Sequence, residues 1–591
     1  MNPIPDSERA AWQRTLSKLH PRYDPEAQML KRPFSSPGYH TTLTGGDVHP
    51  TRDSLEYAVA LFDSGEPERL AAAEAILSAV IALQDDDPAS PTYGVWPWFA
   101  EEPLAQMSPP DHNWADFCGV LLLQVWLRHR DRVRAEPATQ LRTAIERAAT
   151  AVRRRDVVPS YTNIALMSTY VALVAGAELA RADWLEYGRA RLKRFMEHAA
   201  RHGAFTEYNS PTYTVVALKE LAQLRRDVAD PEAAADIASL YARAWRHLAR
   251  RFHAPTGQWS GPHSRAYHTL LDPGTRAFLQ AATGGRAKLI EPEQLELPLD
   301  WIQLPVRCPD DLAAYLAETP EPRTEVETFW RPAEGEARRS IVGTTHLTPA
   351  FSLGSVNHGD GWNQRRSLIA YAGRRGHAHA LRLRALHDGY DFCAAQFLIA
   401  QSGGQSLVGV GVAPDGGDRH PSLDRIQSGV IRTTEWGLRF ELEAETELRL
   451  ERWPEAWRGE PLHFTMAGVP VQLQVLWAGF GTDPVRYACG LEGKRAWLDL
   501  YWYAGEARPL DLTAINPIGA LFALRIGAVP AGSSAAAGST TADGDAPPAL
   551  TMAGEFARAT WRTSVGELKL NLPLRPLSLR DWATHPPAEA D

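Results

Sequence analysis

The chain has 591 residues, of which 44% are hydrophobic and 23% charged, and its 62 Lys and Arg against 71 Asp and Glu give a net charge of -9. This balance excludes a largely disordered or collagen-like chain, and the length implies at least two hydrophobic cores. The acidic excess argues against a general nucleic-acid binder, because such a protein needs a positive field to attract phosphates.

The chain shows no sign of a metal-binding or disulfide framework, of export or of membrane insertion. Its four cysteines are scattered and form no CxxC pair. The first twenty residues lack an apolar core behind a basic segment, and no later stretch approaches the length of a membrane span. We therefore expect a soluble, cytoplasmic chain with no membrane partner, no metal and no cofactor; the oligomeric state stays open.

Residues 54–282 carry a helical pattern. Leu70, Leu77 and Ile81 lie on one apolar stripe at helical spacing, and Pro137 and Pro231 stand where a first helical turn begins. Similar stripes recur with short connections and without an intervening strand pattern. Residues 1–300 are therefore predicted to form antiparallel helix hairpins, arranged as a curved solenoid or as an incomplete (α/α) toroid.

After about residue 325 the hydrophobic period falls to two. Many runs alternate apolar with polar residues, and Gly403 with Gly404 separates two of them as a hairpin turn does. These features predict a large antiparallel β-sandwich over residues 301–591. Its stretch 528–548, rich in Ala, Gly, Ser and Pro, is expected to be a surface loop.

The first polar cluster lies in a tryptophan-rich segment of the helical half. Aromatic faces beside carboxylates and amides suit sugar rings, whose faces carry C–H groups and whose edges carry hydroxyls. The alternative is that the tryptophans belong to the core and that the polar residues cap a helix. The candidate substrate-binding residues here are Trp96, Trp98, Glu101, Asn113 and Trp114.

Two further clusters precede predicted helices. Asn163 either caps a helix or points into a cleft. Before the next apolar stripe come Glu207, Tyr208, Asn209 and Tyr213. Asn209 or Ser210 before a proline is a good N-cap, but capping does not explain two tyrosines and a glutamate, so these residues are candidates for catalysis and substrate binding.

The segment WSGPHSRAYHTL provides a fourth cluster near the end of the helical half. Alternation places His263, Arg265 and Tyr267 on one side of an extended chain. Arg binds carboxylates bidentately, and His or Tyr moves protons, so the cluster suits an acidic substrate. The alternative is a hydrogen-bond network at a domain interface.

The β half contains one unusually polar stretch, residues 355–383. His358 lies in a Gly-rich turn from which its side chain is able to reach the helical half, and Gln364 and Arg365 follow as candidate substrate-binding residues. His377 and His379 form an H-x-H pair, but two ligands without a third do not define a metal site. We interpret that pair as solvated or interface histidines.

The order of domains and these clusters resemble the α/α-toroid polysaccharide lyases, including the chondroitin AC lyase, heparinase II/III and alginate lyase groups. Gly203, Glu207, Ser210 and Tyr213 are similar to the heparinase-like pattern Gly-x-x-x-Glu-x-Ser-x-x-Tyr, with the Glu-to-Ser spacing one residue longer, which leaves Tyr208 and Tyr213 as alternatives. The resemblance implies that Asn163 faces the substrate carboxylate and that His358 reaches the cleft. The chondroitin lyase group instead keeps its catalytic His, Tyr and Arg within the helical domain, and this resemblance implies catalytic roles for His263, Arg265 and Tyr267.

Such a lyase cleaves a uronate-containing polysaccharide or oligosaccharide by β-elimination. The C5 proton is removable only if the neighbouring carboxylate is neutralised, here by Asn163 or an arginine, while a Tyr or His acts as base and a Tyr or His protonates the leaving O4. Arg265, or the pair Arg365 and Arg366, is expected to lower a tyrosine pKa for this purpose. A glycoside hydrolase with paired carboxylates and a non-catalytic carbohydrate-binding protein, which would leave Tyr213 and His358 far apart, are the alternatives.

Overall fold

The structure is a computed structural model that describes residues 4–36, 39–417, 426–527, 546–563, 566–585 and 589–590. Residues 528–545 of the predicted surface loop lie outside this described part. No helix in the described part is both long and apolar enough to cross a membrane.

The helical half is built from helices, as predicted, and some of them start at a proline or at a polar side-chain cap. Asp230 caps one helix by accepting hydrogen bonds from the backbone N–H groups of Glu232 and Ala233, and Pro231 occupies its first position. The helices are α1 (Asp6–Leu19), α2 (Thr51–Ser64), α3 (Pro67–Ala82), α4 (Asn113–His129), α5 (Ala135–Arg155), α6 (Thr162–Glu178), α7 (Ala182–His202), α8 (Tyr213–Asp227), α9 (Pro231–Arg250), α10 (Pro273–Ala282), α11 (Asp310–Ala317) and, at the C-terminal end, α12 (Leu579–Thr584).

These helices form two layers. Consecutive helices pair as hairpins, α2 with α3, α4 with α5, α6 with α7 and α8 with α9. The first members, α2, α4, α6 and α8, also contact one another in order, and α6 is buried on nearly every side. Because an inner helix is enclosed by helices on several sides, its apolar residues run around the whole helix instead of forming one stripe. This arrangement confirms the (α/α) toroid.

The second half is a stack of β-sheets, and its first strand begins after α11 has ended at Ala317, beyond residue 300. Short strands also occur in the helical half. In chain order the strands are β1 (Tyr23–Asp24), β2 (Met29–Leu30), β3 (Arg32–Ser35), β4 (Gly45–Val48), β5 (Phe252–His253), β6 (Gln258–Trp259), β7 (Arg323–Trp330), β8 (Ile341–Leu347), β9 (Phe351–Val356), β10 (His358–Asp360), β11 (Leu368–Arg374), β12 (His377–His387), β13 (Tyr390–Asp391), β14 (Ala395–Ser402), β15 (Gln405–Val412), β16 (Val430–Ala444), β17 (Leu462–Met466), β18 (Val469–Phe480), β19 (Arg486–Glu492), β20 (Arg495–Asp511), β21 (Ile518–Ile526), β22 (Ala549–Ala553), β23 (Phe556–Thr563), β24 (Gly566–Pro573) and β25 (Glu589–Ala590).

The described strands of this half form three antiparallel sheets. The largest has the order β19-β20-β16-β12-β11-β9-β8-β7, with β13 paired to β12. It faces a six-stranded sheet, β10-β14-β15-β21-β18-β17, whose other side is covered by β22-β23-β24-β25. The β14–β15 hairpin turns at Gly403 and Gly404, as predicted. The antiparallel sandwich is therefore confirmed, and it carries an additional layer.

The six-stranded sheet lies between the other two sheets, which explains why some of its strands consist of continuous apolar residues. On β14, Phe397 and Ile399 enter the core shared with the large sheet, whereas Leu398 and Ala400 enter the core beneath the outer sheet. Alternate residues of a strand point to opposite faces, so a sheet covered on both sides needs apolar residues at every position.

A short extended segment, residues 260–269, joins the two halves. His263 and Arg366 exchange two backbone hydrogen bonds of 3.0 and 3.2 Å, and the Thr345 hydroxyl donates to the Gly261 carbonyl at 2.6 Å. Gly354 of β9 packs so closely here that a Cβ would lie 2.0 Å from the Gly261 carbonyl oxygen. The sandwich is therefore fixed beside the segment that carries Arg265 and Tyr267.

Candidate active site

A cleft of about 700 Å³ opens where the first turns of the inner helices meet the sandwich. Helices α2, α4, α6 and α8 all contribute residues from their N-terminal turns, and their backbone dipoles favour negative charge there. The loop between β10 and β11 closes one side. The lining residues are Tyr39, His40, Arg52, Trp98, Asp111, Asn113, Trp114, Phe117, Tyr161, Asn163, Thr212, Tyr213, Val216, Arg265, Tyr267, Trp362, Asn363, Gln364 and Tyr390.

Two tyrosines form a pair in this cleft. The hydroxyls of Tyr213, the first residue of α8, and Tyr267 lie 2.7 Å apart and share a hydrogen bond. Tyr213 is half-buried, whereas 53% of Tyr267 is exposed. Burial, and then the bond to Tyr267, raise the pKa of Tyr213 well above its usual value, so Tyr213 is a proton donor at neutral pH.

Arg265 organises the surroundings of this pair. Its guanidinium carbon lies 3.9 Å from the Tyr213 ring centroid and 5.2 Å from that of Trp362. Its nitrogens donate to Glu207 Oε1 at 2.7 Å and to Gln364 Oε1 at 2.8 Å. The expected lowering of a tyrosine pKa by Arg265 is not found for Tyr213, because burial outweighs the arginine and Glu207 offsets its charge.

Asn163 and Glu207 lie behind the pair. Asn163 is buried, lines the cleft, and its Oδ1 has no hydrogen-bond partner in the described structure. Glu207 accepts from the Asn163 backbone N–H and from Arg265, yet burial raises its pKa overall. The amide of Asn163 is thus the buried polar group that is left for a ligand.

An aromatic wall forms the opposite part of the cleft. Trp98 and Trp114 stack with ring centroids 5.2 Å apart, and Phe117 lies edge-on to Trp114 at 5.5 Å. The indole N–H of Trp98 donates to Asp111 Oδ2 at 3.2 Å. Arg52, the second residue of α2, places its guanidinium carbon 3.9 Å from the Phe117 centroid. The wall offers sugar-binding faces together with a cation.

Asn113 is held in place by a chain of hydrogen bonds. Arg155 donates to Asn113 Oδ1 at 2.7 Å, so the Asn113 amide faces the Tyr161 hydroxyl and donates to it at 3.1 Å. The Tyr161 oxygen therefore acts as an acceptor within the protein, and its own hydrogen is available to the cleft. Below, the carboxyl of Asp116 accepts from Ser168, and burial raises its pKa to about 6.

Several predicted site residues lie outside the cleft lining. Tyr208 is buried, with its ring stacked at 4.1 Å on Phe329. His263 is buried and bonds through Nδ1 to the Asn209 carbonyl at 2.7 Å, and burial lowers its pKa to about 4. Burial lowers the pKa of His358 to about 4, and the positive charge of Arg339 acts in the same direction. His358 is not among the residues that line the cleft.

Some of the remaining predicted site residues also lie outside the cleft, whereas others line it. Trp96 is fully buried and donates to the Val80 carbonyl, and Glu101 pairs with His49. Asn209 bonds Trp259, Ser260 and Pro262 through its side chain, so it supports the fold. Arg365 pairs with Asp360 at 2.9 Å outside the cleft. The cleft contains Trp98, Asn113, Trp114, Asn163, Tyr213, Arg265, Tyr267 and Gln364.

Some lining residues were not predicted. Tyr161 lies two residues before Asn163 in a segment already marked as polar, so its proximity was a usable signal. Arg52 and Phe117 are isolated within amphipathic helices, and only their position at the inner helix ends brings them into the cleft. No group of three or more His, Cys, Asp or Glu able to hold a metal occurs among the described residues.

Comparison with known proteins gives limited likenesses. Residues 13–273 match the model of a family described as a domain of unknown function (DUF8769). No curated protein matches the sequence. Similar solved structures include a heparinase III, with 9% identity and a TM-score of 0.39 over 89% of this chain and 84% of that one. Another is a GH127 β-L-arabinofuranosidase from Geobacillus stearothermophilus T6, with 10% identity and a TM-score of 0.26 over 78% and 89%.

Proposed function

We propose that the protein is a carbohydrate-active enzyme, a lyase that cleaves uronate-containing glycans by β-elimination. The observation that carries the proposal is the hydrogen-bonded Tyr213–Tyr267 pair in a large cleft with an aromatic wall. Elimination requires one group that takes a proton and another that gives one, and two adjacent phenols provide both.

The reaction removes the C5 proton of the uronate, and the electrons of that C–H bond form the C4–C5 double bond as the C4–O4 bond breaks. We assign the acid to Tyr213, because its raised pKa keeps it protonated until O4 leaves. We assign the base to Tyr267, which takes the C5 proton after its own hydroxyl proton has passed to solvent. The hydrogen bond between the two then allows a proton to return to Tyr213.

The charge that develops at the uronate carboxylate needs donors aimed at it. We assign this role to the N–H₂ group of Asn163, because the Asn163 side chain lines the cleft. Its Oδ1, unpaired within the described structure, is an acceptor and is left for a hydroxyl of the sugar. The N-terminal turn of α6 adds favourable backbone dipoles at the same place. Arg265 holds Tyr213 and Gln364 in position instead of binding the carboxylate, since it is already paired with Glu207.

The hydrolase alternative is less well supported. Hydrolysis with paired carboxylates needs two carboxyl groups facing the same bond. Among the described lining residues only Asp111 carries a carboxylate, and it accepts hydrogen bonds from Trp98 and from the Asn113 backbone. The non-catalytic alternative keeps some support, because His358 lies apart from Tyr213; the elimination therefore rests on the tyrosine pair.

Incubation with uronate oligosaccharides tests the proposal. We expect products that absorb near roughly 235 nm because of a conjugated C4–C5 double bond. We expect Tyr213→Phe and Tyr267→Phe each to abolish this absorbance while substrate binding persists. Tyr208→Phe is the matched control, because that tyrosine is buried away from the cleft. New reducing ends without the absorbance would indicate a hydrolase, and binding without products would indicate a non-catalytic protein.

A further inference from the structure

We propose that Arg52 is the anion-recognition residue of the cleft, and that it binds a carboxylate or sulfate ester on a sugar seated against the Trp98–Trp114 wall. This inference rests on the proposed function only in taking the ligand to be a glycan. It assigns to Arg52 the acidic-group recognition that the sequence had suggested for Arg265.

Arg52 is the cation of the cleft that the protein leaves unpaired. It is half-buried, and within the described part of the chain its guanidinium takes part in no hydrogen bond and no ion pair. Its contact is the face of Phe117, 3.9 Å from the ring centroid to the guanidinium carbon. Stacking on a ring leaves the in-plane N–H donors of the guanidinium free for an oxyanion.

The other lining arginine is already neutralised. Arg265 has Glu207 at 2.7 Å and Gln364 at 2.8 Å, so two of its donors are occupied. The lining carboxylate Asp111 is engaged by Trp98 and by the Asn113 backbone. An incoming acidic group therefore gains more at Arg52, where no protein carboxylate has to be displaced.

The acids behind Arg52 are poor counter-ions. Glu56, one turn along α2, and Glu220 of α8 both interact electrostatically with Arg52 without forming an ion pair. Burial raises the pKa of both carboxyls, that of Glu220 to about 8, so at neutral pH Glu220 is mainly uncharged. The positive charge of Arg52 is thus left for the cleft.

The position of Arg52 also fits a sugar ligand. Phe117 beneath it contacts Trp114 at 5.5 Å, and Trp114 stacks on Trp98 at 5.2 Å. The cation therefore stands at one end of a continuous aromatic surface. A pyranose ring that stacks a C–H face on that surface keeps its exocyclic acidic group at the ring edge. From there the acidic group can turn toward the guanidinium.

Calorimetric titration in a Tyr213→Phe background, which prevents turnover, tests this assignment. The ligands are an unsulfated glucuronate-containing tetrasaccharide, its carboxyl-reduced neutral counterpart, and that carboxyl-reduced tetrasaccharide bearing one sulfate ester. Arg52→Gln should weaken an anionic ligand about tenfold or more and change the neutral one by less than about twofold. Arg52→Lys should restore part of the loss. Arg142→Gln, on the outside of α5, should change nothing.

If Arg52→Gln lowers the affinity only for the uronate ligand, Arg52 recognises a carboxylate. If it lowers the affinity only for the sulfated ligand, Arg52 recognises a sulfate ester. Equal loss for neutral and anionic ligands, no loss with Arg52→Gln, or no binding of either anionic ligand to the unsubstituted cleft would overturn the assignment. A parent protein that binds uronates through Arg52 but forms no unsaturated product would refute the elimination alone.

Discussion

At the scale of the residue, the cleft depends on how each buried charge is matched. Glu207 is 7% exposed, and one of its carboxylate oxygens has no hydrogen-bond partner among the described residues. The ion pair with Arg265 therefore offsets much of the free-energy cost of burying this carboxylate. The same arginine packs on Tyr213. The Arg265–Glu207 ion pair therefore affects both the stability of the segment that precedes α8 and the position of Tyr213, the proposed acid.

Arg265→Met should lower both stability and turnover. It leaves the Glu207 carboxylate buried and unpaired, which we expect to cost about 1–3 kcal/mol of unfolding free energy. Adding Glu207→Gln should recover most of the stability in urea unfolding but none of the turnover, because Tyr213 and Gln364 stay unsupported. A double variant that regains activity would show that Arg265 only compensates Glu207.

Glu220→Gln should change how stability depends on pH. The pKa of Glu220 is raised from its ordinary value of 4.5 to about 8, so its contribution to stability is complete below pH 4.5 and is lost as pH rises through 8. The stability of the variant relative to the parent should therefore increase between these pH values. Urea unfolding at several pH values measures this, and a pH-independent difference would contradict it.

At the scale of the element, the N-terminal turn of α8 positions the reacting groups. The Ser210 hydroxyl accepts from the Tyr213 backbone N–H at 2.9 Å and donates to the Arg265 carbonyl at 2.6 Å. Ser210 therefore satisfies a free N–H of the first turn and ties α8 to the segment with Tyr267. Ser210 makes this capping bond from two residues before Thr212, the N-cap position of α8. The side chain of Asn209 instead bonds Trp259, Ser260 and Pro262.

Ser210→Ala should lower stability by about 1 kcal/mol, as for other lost caps, and turnover by more than that loss explains. The matched control is Asp272→Ala, which removes the cap that Thr275 N–H uses at the start of α10, away from the cleft. We expect similar shifts in thermal unfolding and reduced turnover only for Ser210→Ala. Equal turnover in both would mean that the link from Ser210 to Arg265 is dispensable.

At the scale of the whole molecule, the site is shared between the two halves. Trp362, Asn363 and Gln364 come from the sandwich, and Arg366 beside them donates to the carbonyls of Asn363 and Ala266. The sandwich therefore completes the cleft of the helical half. Its docking depends on close backbone approach at Gly354.

Gly354→Ala should destabilise the junction and reduce turnover, because its Cβ would lie 2.0 Å from the Gly261 carbonyl oxygen. A shift of backbone is needed, with an expected cost of about 1–3 kcal/mol. Gly45→Ala is the control, since its Cβ would meet only ordinary contact at 3.5 Å. Thermal unfolding and turnover measure both variants, and an unchanged Gly354→Ala protein would show that the junction tolerates separation.

The amino-acid pattern predicts the helical half, the sandwich and the segments rich in site residues, because hydrophobic period and helix caps are local properties of the chain. It also brought out Asn163, Tyr213, Arg265 and Tyr267, which stand next to helix starts or in one polar segment. It did not separate Tyr213 from Tyr208, since both occur in the same short stretch and only burial distinguishes them.

Which of these residues meet depends on how the helices and the sandwich pack. Arg52 and Tyr161 join the cleft because the inner helices begin at the same end of the toroid, while His263 and His358 are used or buried elsewhere. Tyr213 and Tyr267 are 54 positions apart, and Arg265 and Gln364 are 99 positions apart. Such contacts depend on how helices and sheets pack, and the hydrophobic pattern does not determine that packing. The pairing of Tyr213 with Tyr267 and the unpaired charge of Arg52 are properties of that packing.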